Sequence, residues 1–117
     1  VAGLDVDAGL RMVEGDRELY LRLLSGFVDH LGVAHEEIAQ AMAAGDWQTL
    51  ERETHTLKGL CGTVGARDMQ RLTAELEAAV RRHDESAVRE GALALRAAGA
   101  PLMASLRDQL AVLREIR

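Results

Sequence analysis

Apolar positions recur along this chain at steps of three and four, the spacing that lines one face of an α-helix. Asp7 caps a first short segment, "DAGLRMV", which stops at Gly15. Asp16 then opens a longer one, with Leu19, Leu23, Phe27, Leu31, Ala34, Ile38 and Met42 on one face. Gly32 interrupts this stretch without changing its phase, so the pattern predicts one long kinked helix, or two nearly collinear ones, ending at Gly45. "GD" at 45 and 46 supplies a glycine stop followed directly by an aspartate cap. A third helix runs from Asp46 to Gly65. A fourth spans about Ala66 to Arg82, with Met69, Leu72, Leu76 and Val80 inward.

Asp84 caps the last helix. Its series Val88, Ala92, Leu95, Gly99, Leu102, Leu106, Leu110, Leu113 keeps phase through Pro101, where the helix should bend because proline removes a backbone bond and crowds the preceding turn. Connections of a few residues favour antiparallel neighbours. The prediction is an all-α, antiparallel up-down four-helix bundle with a short additional N-terminal helix. Residues 1–117 form a single domain, since no repeat, low-complexity stretch or internal boundary divides them.

The third helix carries "HTLKGLCGTVGA", in which one histidine is followed by three glycines. Leu50, Thr54, Leu57, Cys61 and Val64 fall within a stripe roughly 80° wide, which is the core face. His55 lies about 140° from its centre and so points to solvent, with Glu51, Lys58, Gly59 and Gly62 in the same outer sector. A surface histidine alone means little. A surface glycine in a helix costs about 1 kcal/mol relative to Ala, and no core contact repays it there. Gly59 and Gly62, at i+4 and i+7 from His55, therefore read as clearance for something bulky. Lys58 supplies a positive charge to an anionic group, and imidazole is a competent nucleophile near neutral pH. Together these suggest a phosphoryl group accepted from a large protein donor.

Composition removes most rivals. With 48% hydrophobic residues, 3% aromatics and one proline, helix is favoured over sheet. The net charge of −5 and the lack of a basic cluster argue against nucleic acid as a partner. Cys61, the single cysteine, falls in the core stripe and fits a reducing compartment. No apolar run approaches the roughly 18 residues of a membrane span, no signal peptide is visible, and a start at Val1 reads as a piece of something longer. A cytoplasmic location is expected, without direct membrane contact. His30 and His35 flank Gly32, and His83 lies in the turn before the last helix. "HEEIA" lacks the second histidine of a zinc protease helix, and no Cys/His spacing suits a metal. Trp47 is a packing anchor where the histidine helix begins.

The pattern H-x-x-K-G-x-x-x-x-x-G, met by His55, Lys58, Gly59 and Gly65, resembles the histidine-containing phosphotransfer (HPt) domain of bacterial multistep phosphorelays. "GDWQTLERETHTLKGLCGTVGA" is similar to the family's run through its histidine helix, and "LTAELEAAV" to the helix after it. "GLDVDAGLRMVEGDRELYLRLLSGF" resembles the opening segment of HPt domains attached to hybrid sensor kinases. Cys61 and Thr63 stand where the family often has other small residues.

The resemblance implies that His55 carries the phosphoryl group on Nε2, taking it from one receiver aspartyl phosphate and passing it to another receiver Asp. Lys58 would help neutralise the phosphate, and Gly59 would leave room for it. The receiver domain brings its own Mg²⁺, so the resemblance implies no cofactor, no bound metal, no ATP site and no autonomous kinase activity, in a monomeric domain. The alternatives are a helical module that binds receivers without phosphotransfer, and a plain dimerisation bundle.

Overall fold

The structure is a computed structural model that describes the backbone of residues 2–116 and the side chains of 2–111. Its five helices are α1 (Val6–Met12), α2 (Arg17–Ala44), α3 (Trp47–Val64), α4 (Arg67–Arg81) and α5 (Glu85–Ile116). Helix α2 touches α3 and α5, and α4 touches α3 and α5, so α2/α4 and α3/α5 are the diagonals of an antiparallel bundle. α1 rests against α3 and α2 at one end. The fold is the all-α bundle that the periodicity predicts.

Most boundaries follow from local chemistry. The carboxylates of Asp16 and Asp46 accept from the backbone N–H groups of Leu19 and Thr49, each at 3.1 Å, satisfying donors that a helix start leaves open. Asp84 does the same for Ala87. Gly45 and Gly65, at φ +65° and +85°, take the left-handed conformation that ends α2 and α3 and that side chains resist.

Two expectations change, at the cap of α1 and in the first turns of α2. The cap of α1 is Asp5, whose carboxylate accepts from Ala8 N–H at 3.0 Å, and Asp7 sits in the first turn. Of the two alternatives at Gly32, α2 is one long helix, because that residue lies on an exposed face where a missing side chain leaves the backbone ladder intact. In the first turns of α2 the buried residues are Tyr20 and Leu24, one position on from Leu19 and Leu23, which are half-buried. Tyr20 is drawn inward by α1 and the end of α3: its hydroxyl donates to the Val64 carbonyl at 2.8 Å, and its ring fills the space beside Gly9.

α5 continues through Pro101, which is exposed, as is Ala97, whose carbonyl the proline leaves to water. Leu113 falls outside the described side chains. The core is built on Phe27, Leu31, Leu57, Leu76, Leu95 and Leu106, each at most 2% exposed. Burying such side chains contributes about 1.5–3 kcal/mol apiece. The N-terminal segment clamps the α3–α4 turn, since Asp5 N–H donates to the Gly65 carbonyl at 2.7 Å and the Asp5 carboxylate pairs with Arg67 at 2.9 Å. The C-terminal end of the histidine helix is thereby fixed. No helix among the described residues is long and apolar enough to cross a membrane.

Candidate functional site

The core stripe of α3 lies where the sequence places it: Leu50, Thr54, Leu57, Cys61 and Val64 are all buried. The Thr54 hydroxyl is satisfied inside by donating to the Leu50 carbonyl at 2.8 Å. With that stripe turned inward, His55 is forced outward, and 68% of its side chain is exposed. It does not project freely. Its Nδ1 lies 2.9 Å from Oε2 of Glu77 on α4, a residue that is only 3% exposed.

Glu77 organises the site. Its Oε1 accepts from Lys58 Nζ at 2.6 Å, and Arg81 Nη2 stands 3.5 Å from Oε2. Burial by itself would raise this carboxyl. The hydrogen bonds from Lys58 and His55, with the charges of Lys58 and Arg81, outweigh burial and hold it below the usual carboxylate range. An ionised carboxylate only accepts hydrogen bonds, so His55 Nδ1 must carry the proton toward it. In the neutral ring the lone pair then resides on Nε2, at the side away from Glu77. A buried anion thereby selects the tautomer of an exposed imidazole, a division of labour familiar from other histidine sites.

Lys58 is one-third exposed and reaches along the flank of α3 to Glu77, so its charge lies beside His55 through a shared partner. Around the position a Gly59 side chain would occupy, no atom lies within 4 Å. Gly62 has a neighbour: the end of the exposed Gln70 side chain of α4 lies over the position a Gly62 side chain would occupy, and that flexible amide would have to swing aside for one. A shallow depression of about 390 Å³ beside His55 is lined by Gln48, Glu51, Arg52 and Arg81. Arg81 Nε stands 3.6 Å from Glu51, so this guanidinium spans both carboxylates.

Glu77 and Arg81 were not singled out from sequence. A signal existed: counting 100° per residue, Glu77 falls about 80° off the centre of the α4 core stripe, as Lys58 does on α3. Two opposite charges at matching flanks of consecutive antiparallel helices are placed to meet.

The remaining histidines lie elsewhere. The ring of His83 stacks on Trp47 at 4.4 Å between centroids, which pins the start of α3 to the α4–α5 turn. His30 and His35 each have a buried Nε2 without a hydrogen-bond partner among the described residues. Burial, then Arg96, lowers the pKa of His35. No group of three or more potential metal ligands occurs among the described residues. Cys61 is fully buried, and burial pushes its thiol up to about 11, well away from reactive thiolates.

The family model described as the Hpt domain matches residues 22–116. The fold is similar to that of the HPT domain from the Hpt sensor hybrid histidine kinase of Shewanella, with a TM-score of 0.82 at 24% identity over 93% of this chain and 94% of that one. It is also similar to histidine-containing phosphotransfer protein B of Pseudomonas aeruginosa, with a TM-score of 0.74 at 26% identity over 100% of this chain and 98% of that one. No curated protein matches the sequence.

Proposed function

The chain belongs to the Hpt domain family and serves histidine phosphotransfer in a phosphorelay, and on that premise we propose that His55 is the residue that carries the phosphoryl group. The observation that carries this reading is the hydrogen bond between His55 Nδ1 and the buried Glu77 carboxylate. It leaves Nε2 as the free nucleophile on a ring that is mostly exposed.

The step follows from that geometry. The Nε2 lone pair attacks phosphorus of a receiver aspartyl phosphate, the phosphorus–oxygen bond to the Asp breaks, and the Asp leaves as a carboxylate. Nδ1 keeps its proton, so the phosphorylated ring carries a positive charge that the Glu77 carboxylate balances. Lys58 lends its charge to the phosphoryl oxygens, a charge-assisted contact of the stronger kind. The open surface at Gly59 admits the receiver backbone. Reversing these steps delivers the group to the Asp of a second receiver.

Receiver domains are the partners, and in this reading they supply the Mg²⁺ of the reaction. The 117-residue chain acts as one domain, a monomeric carrier without kinase activity of its own, in the cytoplasm. No nucleotide loop can be read in the sequence to support phosphorylation from ATP.

Incubating the chain with a phosphorylated receiver tests the proposal. Acid-labile, base-stable phosphate should appear on the wild type and be absent from His55→Gln. Binding of the receiver without labelling would favour the alternative, an interaction module that does not transfer phosphate.

A further inference from the structure

The seam between α2 and α5 lies opposite the α3–α4 seam that holds His55, because the two pairs occupy opposite edges of the bundle. Two depressions of about 460 and about 330 Å³ adjoin there. Both are lined by Ala39, Met42 and Arg89, so they form one groove. The floor is apolar, with Ile38, Val88 and Leu95 buried beneath it. Leu93, on its α5 wall, is 66% exposed, the most exposed of the large hydrophobic side chains among the described residues. A Leu that exposed at the edge of an apolar groove marks a contact surface more than a solvated one.

Charge specifies what the groove accepts. Arg89 and Arg96 are exposed on the same face of α5 as Leu93, two turns apart and thus about 10 Å along the axis. Like Arg11, Arg17, Arg22, Arg82 and Arg107, neither makes an ion pair among the described residues, so both guanidinium groups are available to a partner. Glu85 is the one carboxylate among the lining residues, so two cations against one anion border the groove of a protein whose net charge is −5. From His35 to Gly45 the groove follows α2 for about 15 Å, the length of roughly three helical turns.

We propose that this groove docks an amphipathic helix of a partner protein, whose apolar ridge seats between α2 and α5 and whose carboxylates, two turns apart, meet Arg89 and Arg96. Helix-in-groove recognition reads such anchors at i, i+3, i+4 and i+7. Because the groove and His55 face opposite ways, this partner and a receiver can be bound at once. The groove tethers the domain without blocking transfer.

Trp47, the chain's sole tryptophan, lines the groove and reports on its occupancy. The probe is a synthetic helical peptide of about four turns, with leucines along one face and glutamates flanking them two turns apart. The full chain should show a saturable change in Trp47 emission. Affinity should fall about tenfold or more for the Arg89→Glu/Arg96→Glu double variant and for the same peptide carrying Lys in place of Glu. The Lys peptide is tested on unaltered protein, so a folding defect cannot imitate that result. Labelling of the chain by a phosphorylated receiver should be unchanged at peptide saturation, although binding itself is read without phosphate. Equal binding of the Lys peptide, or no saturable binding, would overturn the proposal. So would dimerisation of the chain alone that Leu93→Asp abolishes, since the occupant would then be a second copy.

Discussion

The two flanks of α3 each bury a carboxylate, and they shift its titration in opposite directions. Against α4, Glu77 is 3% exposed yet held below the usual carboxyl range, because Lys58 and His55 donate to it at 2.6 and 2.9 Å. Against α2, Glu53 is 8% exposed and is pushed upward, first by burial and then by Glu37 beside it. Its Oε2 has no hydrogen-bond partner among the described residues, and Arg52 Nε stands 3.9 Å from its Oε1. Burial opposes the charge on both sides, so the donors decide the outcome. The histidines follow suit. His55 has one nitrogen held by an anion and the other open to solvent, whereas the Nε2 of His30 is buried without a partner among the described residues. In the proposed reading, its carboxylate and its exposure together are what suit His55 to carry phosphate.

The sharpest way to break this comparison is to exchange the histidines' fates. His55→Gln should abolish phosphoryl acceptance while the chain still folds, at a stability cost of about 1 kcal/mol for the altered hydrogen bond to Glu77. His30→Gln should leave acceptance at the wild-type level. Radiolabel transfer from a phosphorylated receiver measures both, and label surviving in His55→Gln would move the site to another histidine.

The carboxylates come next. Glu77→Ala removes the charged acceptor that holds His55 and Lys58, and hydrogen bonds to charged groups are worth about 1.5–3 kcal/mol. Transfer should slow by about 10- to 100-fold, at about tenfold per 1.4 kcal/mol. Glu77→Gln, which still accepts from Nδ1, should lose less. Stability separates the two flanks by sign. The folded chain keeps Glu77 ionised to lower pH than the unfolded chain does. Its contribution is therefore complete above the ordinary carboxyl value, about 4.3, and is lost as pH falls through the lower folded value. Glu53 behaves inversely: its penalty is present above its raised folded value and is relieved as pH falls through it. At pH 7, denaturant titration should show Glu77→Gln losing stability and Glu53→Gln gaining it, each by about 1 kcal/mol. A shift of the same sign in both would refute the contrast.

Lys58 sharpens the account of charge. Lys58→Met keeps the stem that covers the helix flank but removes the ammonium, and should slow acceptance about tenfold. Lys58→Arg should retain most of the rate. Equal rates for Met and Arg in single-turnover transfer would make Lys58 a flank residue only.

The smallest effect is expected at Gly59. Replacing it by Leu should raise helix stability by about 1 kcal/mol from propensity, since nothing lies within 4 Å of the added carbon. Transfer should nonetheless slow a few-fold through obstruction of the receiver. A thermal melt and a transfer assay on the same sample read the two opposing signs, and unimpaired transfer would remove the clearance role.

Much of this was legible before the structure. Helix boundaries at Asp16, Gly45, Asp46, Gly65 and Asp84 rest on caps and left-handed glycines, which act within a few residues and so are written locally. The outward direction of His55 followed from the core stripe of its own helix. Asp5 was missed as the cap of α1 because a nearby Asp7 offered the same chemistry, and the Asp5 contacts to Gly65 and Arg67 that favour it are long-range. Glu77 was missed for a related reason: its role depends on how α3 and α4 rotate against each other, which neither helix's pattern states alone. A single-helix wheel likewise cannot show that α4 brings the Gln70 side chain over Gly62.

The central claim is that buried Glu77 fixes the Nδ1–H tautomer of His55 and frees Nε2 to take the phosphoryl group. Nitrogen-15 NMR of the histidine rings, before and after phosphorylation by a receiver, tests it most directly. Neutral His55 should show its proton on Nδ1, coupled through the hydrogen bond to Glu77, and phosphorylation should then move the Nε2 resonance of His55 alone. A neutral ring protonated on Nε2, or phosphate appearing on Nδ1 or on another histidine, would contradict the account.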